Sequence, residues 1–189
     1  MKQFRISILA VAALVSFSSC SNDDDAPVPV NEEEVITTIT ATFTPMNGGT
    51  AITLTSRDLD GDGPNAPIVT ASGNFVAGTT YHGAVTFLNE LSNPAENITD
   101  EIHEEGDEHQ IFYQQTDLGS FVYDDEDANG NPIGLHFTYT AANAPVNGNL
   151  TVTLRHEPNK TGEGVANGTI TNAGGSTDAE VTFAVTVTE

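Results

Sequence analysis

The sequence has little positive charge, one cysteine and no tryptophan. Five of its 189 residues are Lys or Arg and 27 are Asp or Glu, which gives a net charge of −22. Nucleic-acid affinity comes largely from Lys and Arg contacts with phosphates, so this balance argues against a nucleic-acid partner and favours divalent cations instead. Cys20, as the only cysteine, cannot form an internal disulfide. The absence of tryptophan weakens any proposal of a surface on which sugars stack.

The sequence also lacks the common catalytic motifs. It has no nucleophile elbow, phosphate-binding loop or zinc-protease helix. Paired carboxylates are so abundant that they carry no specificity for a glycosidase. We therefore expect a protein that is not an enzyme.

The N-terminus has the pattern of a targeting segment. Residues 1–19 contain Lys2 and Arg5, an apolar run too short to span a membrane, and small residues before Cys20. This resembles a bacterial lipoprotein signal peptide, which implies a covalent lipid such as palmitate on Cys20 and attachment to a membrane. An ordinary secretory signal is the alternative. Residues 20–34 are predicted to be an acidic, proline-containing tether.

The residues after Cys20 also predict a location. Ser, Asn and three aspartates follow it directly, and this order resembles the surface-export signal of Bacteroidota lipoproteins. The resemblance implies an outer-membrane protein that faces the cell exterior. Two or more acyl chains anchor a protein stably, whereas one does not.

Residues 35–189 have the pattern of an all-β domain. Apolar and polar residues alternate, which is typical of half-buried strands, and Gly, Asn, Pro and Asp clusters mark the turns between them. We predict an antiparallel β-sandwich, immunoglobulin-like in general layout, with a small β-barrel as the alternative. The acidic stretch 94–109 is predicted to be a short helix or a loop. Nine strands are expected, within residues 35–44, 50–56, 66–73, 79–88, 109–115, 119–125, 133–141, 149–156 and 179–188.

The alternation also predicts which side chains form the core. His82 and His136 have the parity of the outward-facing residues. The side chains expected to point inward are Val35, Ile39, Ala41, Phe43, Ile52, Leu54, Tyr81, Val85, Phe87, Ile133, Leu135, Phe137, Tyr139, Leu150, Val152, Leu154, Val181, Phe183, Val185 and Val187.

Two loops fit D-x-[DN]-x-[DN]-G, the first half of a calcium-binding loop. Calcium takes several oxygen ligands, and alternate residues of a loop can supply them. The template expects a glutamate at position twelve, where this chain has Val69 and His136, so neither loop is an EF-hand. The alternative is that Asp, Asn and Gly simply make good turns. The two candidate sets are Asp58, Asp60 and Asp62, followed by Gly63, and Asp125, Asp127 and Asn129, followed by Gly130.

A second candidate metal site mixes histidine with carboxylates. Histidine and carboxylate together suit zinc and other transition metals, although we expect Zn²⁺ less than Ca²⁺. The alternatives are an acidic, solvated connector and, for the last histidine, a core position at a strand end. The candidate ligands are His103, Glu104, Glu108, His109 and His156.

Four stretches carry a resemblance to a family that spans nearly the whole chain: NEEEVITT, DLDGDGPNAP, DEHQ and RHEPNK. They are similar to small flavobacterial surface lipoproteins, which are often labelled "type 1 periplasmic binding fold superfamily protein". That label implies a larger α/β fold, whereas the alternation here predicts strands. Lipoproteins of this class often work beside TonB-dependent receptors of the outer membrane, which implies a role in capture.

Together these patterns predict a lipid-anchored cell-surface binding or accessory protein, stabilised by calcium. One alternative is a lipoprotein that captures a transition metal or a metal complex for a TonB-dependent outer-membrane receptor. The other is a structural or adhesive surface protein.

Overall fold

A computed structural model describes residues 34–61 and 63–189. The predicted signal peptide (1–19), Cys20, the tether up to residue 33, and Asp62 lie outside the described residues. Within the described ranges, no helix is both long and apolar enough to cross a membrane.

The described residues form strands, one α-helix and two 3-10 turns. The helix, α1 (Ile98–Glu104), occupies the acidic stretch, and the 3-10 turns are Val165–Asn167 and Ile170–Asn172. In chain order the strands are β1 (Thr38–Pro45), β2 (Ile52–Arg57), β3 (Ile68–Ala71), β4 (Phe75–Val76), β5 (Thr80–Asn89), β6 (Glu96–Asn97), β7 (His109–Gln115), β8 (Gly119–Tyr123), β9 (His136–Ala141), β10 (Val146–His156) and β11 (Ser176–Thr188).

The strands build two sheets. The larger has the order β3-β2-β1-β5-β9-β8, with β6 added beside β5, and the smaller has the order β4-β11-β10-β7. All pairs are antiparallel except β4 with β11. The larger sheet curls into a half-barrel, so the all-β, two-sheet prediction is confirmed. Each predicted strand is present, and β4 and β6 are additional strands of two residues each, too short to show a period.

Aromatic side chains fill the space between the sheets. The ring of Phe43 meets those of Phe75, Phe137 and Tyr139 edge-on, at centroid distances of 4.8, 5.4 and 5.6 Å. Burying one such side chain contributes about 1.5–3 kcal/mol. Gly83 allows this packing, because a Cβ there would lie 2.0 Å from the ring of Phe137.

The predicted core is confirmed with one exception. Val35 is 52 % exposed, because β1 begins only at Thr38 and the alternation does not extend back before it. Every other side chain expected to point inward is buried, and His82 and His136 are exposed.

The register of the smaller sheet brings two histidines together. His109 begins β7 and His156 ends β10, and these two residues are directly paired across the two strands. On the other side of β10, His156 pairs with Ser176 at the start of β11. Three strands therefore contribute residues to one end of the smaller sheet.

Candidate metal centre

The two histidines at this sheet end form a buried pair. The rings of His109 and His156 stack with centroids 4.8 Å apart and planes 11° from parallel. Their side chains are only 2 % and 8 % exposed. Buried histidines need polar partners, so the groups around them decide what the pair can do.

Two carboxylates face His109. Its Nε2 lies 3.7 Å from an oxygen of Glu34 and 3.8 Å from an oxygen of Asp178, and these side chains are 12 % and 9 % exposed. Glu34 precedes β1, whereas Asp178 lies in β11. Ligand atoms of His109, His156 and Asp178 lie within 4.8 Å of one another, as do ligand atoms of Glu34, Glu105 and His109. One group therefore offers two imidazoles and a carboxylate, and the other adds two carboxylates around the shared His109.

The orientation of His109 is set by the backbone. Its Nδ1 lies 3.1 Å from the carbonyl oxygen of Glu105, and because a carbonyl only accepts, Nδ1 carries the proton and donates it. In the neutral ring, Nε2 then turns a lone pair towards two carboxylates. Metal-binding histidines have this arrangement, with the distal N–H held by a carbonyl or carboxylate.

The distances from His109 Nε2 also fit an ion better than hydrogen bonds. Separations of 3.7 and 3.8 Å exceed the about 2.7–3.2 Å of a hydrogen bond. Two ligands about 2.0 Å from a tetrahedral zinc are about 3.3 Å apart. A small inward movement of these side chains would complete such a site.

Burial disfavours the charged forms of both His109 and Glu34. Burial first, and then the nearby carboxylates of Glu101, Asp178 and Glu105, raise the pKa of Glu34 to about 7. Burial likewise lowers the pKa of His109. The 3.7 Å approach is therefore not a stable ion pair near neutral pH, since desolvation outweighs the attraction. One oxygen of Glu34, Oε2, is buried with no hydrogen-bond partner among the described residues.

A divalent cation suits this set of groups. Metals bind neutral imidazole and ionised carboxylate, so an ion would stabilise the neutral form of His109 and the charged form of Glu34. Two carboxylates and two neutral histidines balance a charge of +2.

The structure brings together three of the five residues predicted for a mixed site. Glu108 joins His109 and His156, with its Oε2 3.6 Å from His156 Nε2. His103 and Glu104 are exposed on α1 and belong to none of the metal-ligand groups among the described residues.

Glu34 and Asp178 are functional candidates that the sequence analysis missed. Glu34 was assigned to the tether, and Asp178 follows a glycine-rich connection just before the strand alternation starts. Pairing β11 with β10 would have placed Asp178 near His156. Nothing local to Glu34 indicates its position.

The first aspartate loop is an exposed turn in which the carboxylates bind the backbone. Oδ1 of Asp58 accepts from the N–H groups of Asp60 at 3.2 Å and Gly61 at 3.0 Å. Oδ2 of Asp60 accepts from the side-chain amide of Asn65 at 2.6 Å. Because Asp62 lies outside the described residues, calcium binding in this loop stays a prediction.

In the second aspartate loop, Asp125 accepts hydrogen bonds from the backbone at the start of β9 and just before it. Its two oxygens accept from the N–H groups of Gly134 at 2.7 Å and His136 at 2.9 Å. Asp127 holds the turn itself, because its Oδ1 accepts from the N–H groups of Asn129 at 2.8 Å and Asn131 at 2.9 Å.

The other oxygen of Asp127 contacts a cation that the chain supplies. Nζ of Lys160 donates to Asp127 Oδ2 at 2.9 Å, to the carbonyl of Pro132 at 3.0 Å and to the carbonyl of Gly106. The two side chains are 5 % and 1 % exposed. One carboxylate and two carbonyls are the oxygen ligands that calcium also prefers. The ammonium group therefore lies where an ion bound to Asp127 would lie, and calcium at Asp125, Asp127 and Asn129 stays a prediction.

Comparison with known proteins adds no relative: no family model, curated protein or solved structure matches the chain. The resemblance to flavobacterial lipoproteins remains a prediction. What this site does must be argued from its own geometry.

Proposed function

We propose that this protein is a non-enzymatic binding protein that holds a divalent transition-metal ion between His109, His156, Glu34 and Asp178. The observation that carries the proposal is the orientation of His109. Its Nδ1–H is held by a carbonyl, and its Nε2 faces two carboxylates at 3.7 and 3.8 Å.

The ligand types favour a transition metal at this site. Imidazole suits zinc, copper, iron and nickel, whereas calcium and magnesium prefer oxygen alone. A pair of buried histidines beside carboxylates therefore supports Zn²⁺ as the first candidate ion. This puts the transition-metal alternative from the sequence ahead of the calcium-stabilised one.

The biological setting is part of the same proposal. Attachment through a lipid on Cys20, display on the outer membrane and cooperation with a TonB-dependent receptor are supported by the N-terminal sequence and by the resemblance it carries. The net charge of −22 would concentrate cations near the surface. In this setting the protein captures metal ions for uptake.

A specific observation favours a second candidate function. The four side chains proposed as ligands are at most 12 % exposed, and a buried ion exchanges slowly. A metal that only stabilises a structural or adhesive surface protein would have such a site. The rate at which the ion leaves separates the two functions, because capture requires release.

Thermal unfolding of the full chain carrying Cys20→Ala tests the proposal. The substitution removes the only thiol, which would otherwise compete for metal. We expect Zn²⁺ to stabilise the protein relative to chelator, by about 2.7 kcal/mol at a hundredfold excess over Kd. His109→Ala should abolish this gain. His82→Ala, which removes an exposed histidine, should leave it intact.

Two results would overturn the proposal. One is the absence of a zinc-dependent shift, and the other is a shift that survives in His109→Ala. If His109→Ala does not fold, Asp178→Asn provides the same test, since it removes a ligand charge with little change of shape. Transfer of bound zinc to a chelator then measures whether release is fast, as capture needs, or slow, as a structural ion would show.

A further inference from the structure

His156 belongs to two groups of ligand side chains. The inner group contains His109 and Asp178, and the outer group contains Glu108 and Glu157. Within each group the ligand atoms lie within 4.8 Å of one another. One imidazole is therefore within reach of two cation positions.

The two groups differ in their access to water. The side chain of Glu108 is 54 % exposed and Glu157 is exposed, whereas the side chains of His109 and Asp178 are only 2 % and 9 % exposed. His156, at 8 %, lies between these extremes. An ion that approaches His156 from solvent therefore meets the outer carboxylates before it meets the buried ligands.

The backbone holds the outer carboxylates beside His156. The N–H of Glu157 donates to the carbonyl of Glu108 at 2.7 Å, which links the two residues directly. Glu157 has φ = 49°, in the left-handed region that is unfavourable for a residue with a side chain and that glycine adopts freely. A glutamate at this position is costly for the fold, and its carboxylate lies within ligand distance of His156.

We infer that Glu108, His156 and Glu157 form an outer, solvent-facing subsite through which a divalent transition metal reaches and leaves the inner site, with His156 as the shared ligand. This inference rests on the proposed function. A subsite on the route lowers the barrier in both directions, so it speeds binding and release by the same factor and leaves Kd unchanged.

Stopped-flow kinetics with Zn²⁺ and a chromophoric chelator tests the outer subsite, again in the full chain with Cys20→Ala. Glu157→Gly removes one carboxylate and suits the left-handed backbone, and Glu108→Gln removes the other with little change of shape. Because focused charge raises association rates by about 10–10³, we expect the double variant to bind and release zinc about tenfold more slowly. Its Kd should stay close to that of wild type, because a barrier that rises equally in both directions leaves the equilibrium constant unchanged.

The controls separate this effect from folding and from general charge. Glu157→Gly should unfold at the same temperature as wild type or higher, since it relieves the left-handed strain. Glu104→Gln removes one negative charge, as each single substitution does, from the exposed face of α1 outside both groups, and should leave the rates unchanged.

Each other outcome contradicts one part of the argument. Wild-type rates in the double variant would overturn the outer subsite and leave the inner site standing. A raised Kd with faster release alone would make the outer residues ligands of the bound ion, which also overturns the route. Equally slow binding and release of zinc in Glu104→Gln would show that the effect comes from the overall negative charge and not from the outer subsite. Absence of zinc binding by the unsubstituted inner site would overturn the proposed function itself.

Discussion

Two carboxylates of low exposure, Asp127 and Glu34, have different partners beside the same short segment, residues 105–109. Asp127 meets the ammonium of Lys160, which also binds the carbonyl of Gly106. Glu34 meets His109, whose ring is held by the carbonyl of Glu105. One centre contains a permanent cation from the chain, and the other contains a neutral imidazole.

The charge state of each carboxylate follows from its partner. Burial alone would raise the pKa of Asp127, but hydrogen bonds from Asn131, Lys160 and Asn129 hold that pKa below its usual value. Among the described residues, Oε2 of Glu34 has no hydrogen-bond partner, and burial together with the nearby carboxylates raises the pKa of Glu34 to about 7. At Asp127 the chain supplies the compensating cation itself, whereas at Glu34 the proposed metal ion would supply it. This difference is the reason for placing the metal at Glu34 and not at Asp127.

Removing the internal cation, the ammonium of Lys160, should produce the largest loss of stability. Lys160→Met keeps the length of the side chain and leaves Asp127 as an uncompensated buried charge, which costs about 3–5 kcal/mol. Urea unfolding measures the loss. The double variant Lys160→Met with Asp127→Asn should recover part of it, because no charge then remains buried.

An exposed ion pair provides the matched control for this loss. Arg57 and Glu90 approach within 2.6 Å, with side chains 45 % and 25 % exposed, and solvent screening leaves such surface pairs little effect on stability. Arg57→Met should therefore cost far less than Lys160→Met. Equal losses would show that the centre at Asp127 is no stronger than a surface pair, and the comparison would fail.

A smaller effect is expected when Glu34 is made permanently neutral. Its pKa is about 7 in the folded protein against the ordinary value of 4.5, so the folded state holds this proton more tightly. Stability from Glu34 is therefore full below about pH 4.5 and is lost as pH rises through 7. In chelator, Glu34→Gln should remove this loss of stability, which is worth about 1–3 kcal/mol. The free energy of unfolding of the variant should therefore rise relative to that of wild type between pH 5 and 8.

Urea unfolding of both proteins at several pH values checks this sign. Burial lowers the pKa of His109, so stability also falls as pH drops below about 6.5. This effect of His109 is present in both wild type and Glu34→Gln, so it largely cancels when their stabilities are compared. With zinc at pH 8, wild type should become more stable than Glu34→Gln, because only the ionised carboxylate of Glu34 is a metal ligand. Parallel pH curves in chelator would contradict the assigned environment of Glu34.

The sequence was enough to predict the sheets because strand burial is periodic. A period of two in the apolar residues predicts which face of each strand is buried. This pattern predicts strands such as β9 and β10 together with their core residues. The prediction for Val35 is wrong because β1 begins only at Thr38, so the alternating burial of the strand does not reach back to residue 35. The two-residue strands β4 and β6 follow from the packing of others and leave no periodic signal.

The candidate metal centre could be predicted only in part because its residues are distant in sequence. His109 and Glu108 stood out in one acidic stretch, and His156 at a strand end. Whether they meet depends on the pairing of β7 with β10, two strands that are not neighbours in sequence and that no single turn connects. Glu34 lies beside His109 although they are far apart in sequence, and Lys160 reaches Asp127 across 33 positions. Such pairs arise from topology, which local patterns do not encode.

The smallest effect concerns calcium, and it should distinguish the two aspartate loops. Lys160 already contacts Asp127 in the second loop, whereas Asp58 and Asp60 form an exposed turn. We therefore expect calcium to act on the first loop alone and weakly, with a gain of about 0.4 kcal/mol when its concentration equals Kd. Amide chemical shifts measured during a calcium titration should move at residues 58–65 and not at 125–131.

Two variants sharpen this last test. Asp60→Asn keeps the shape of the turn but removes a ligand charge, so it should suppress the shifts at residues 58–65. Asp100→Asn, on the exposed face of α1, should leave them unchanged. Shifts that appear first at residues 125–131 would mean that calcium displaces the ammonium of Lys160. The centre at Asp127 would then also be open to an external ion, and the contrast with Glu34 would be one of affinity, not of kind.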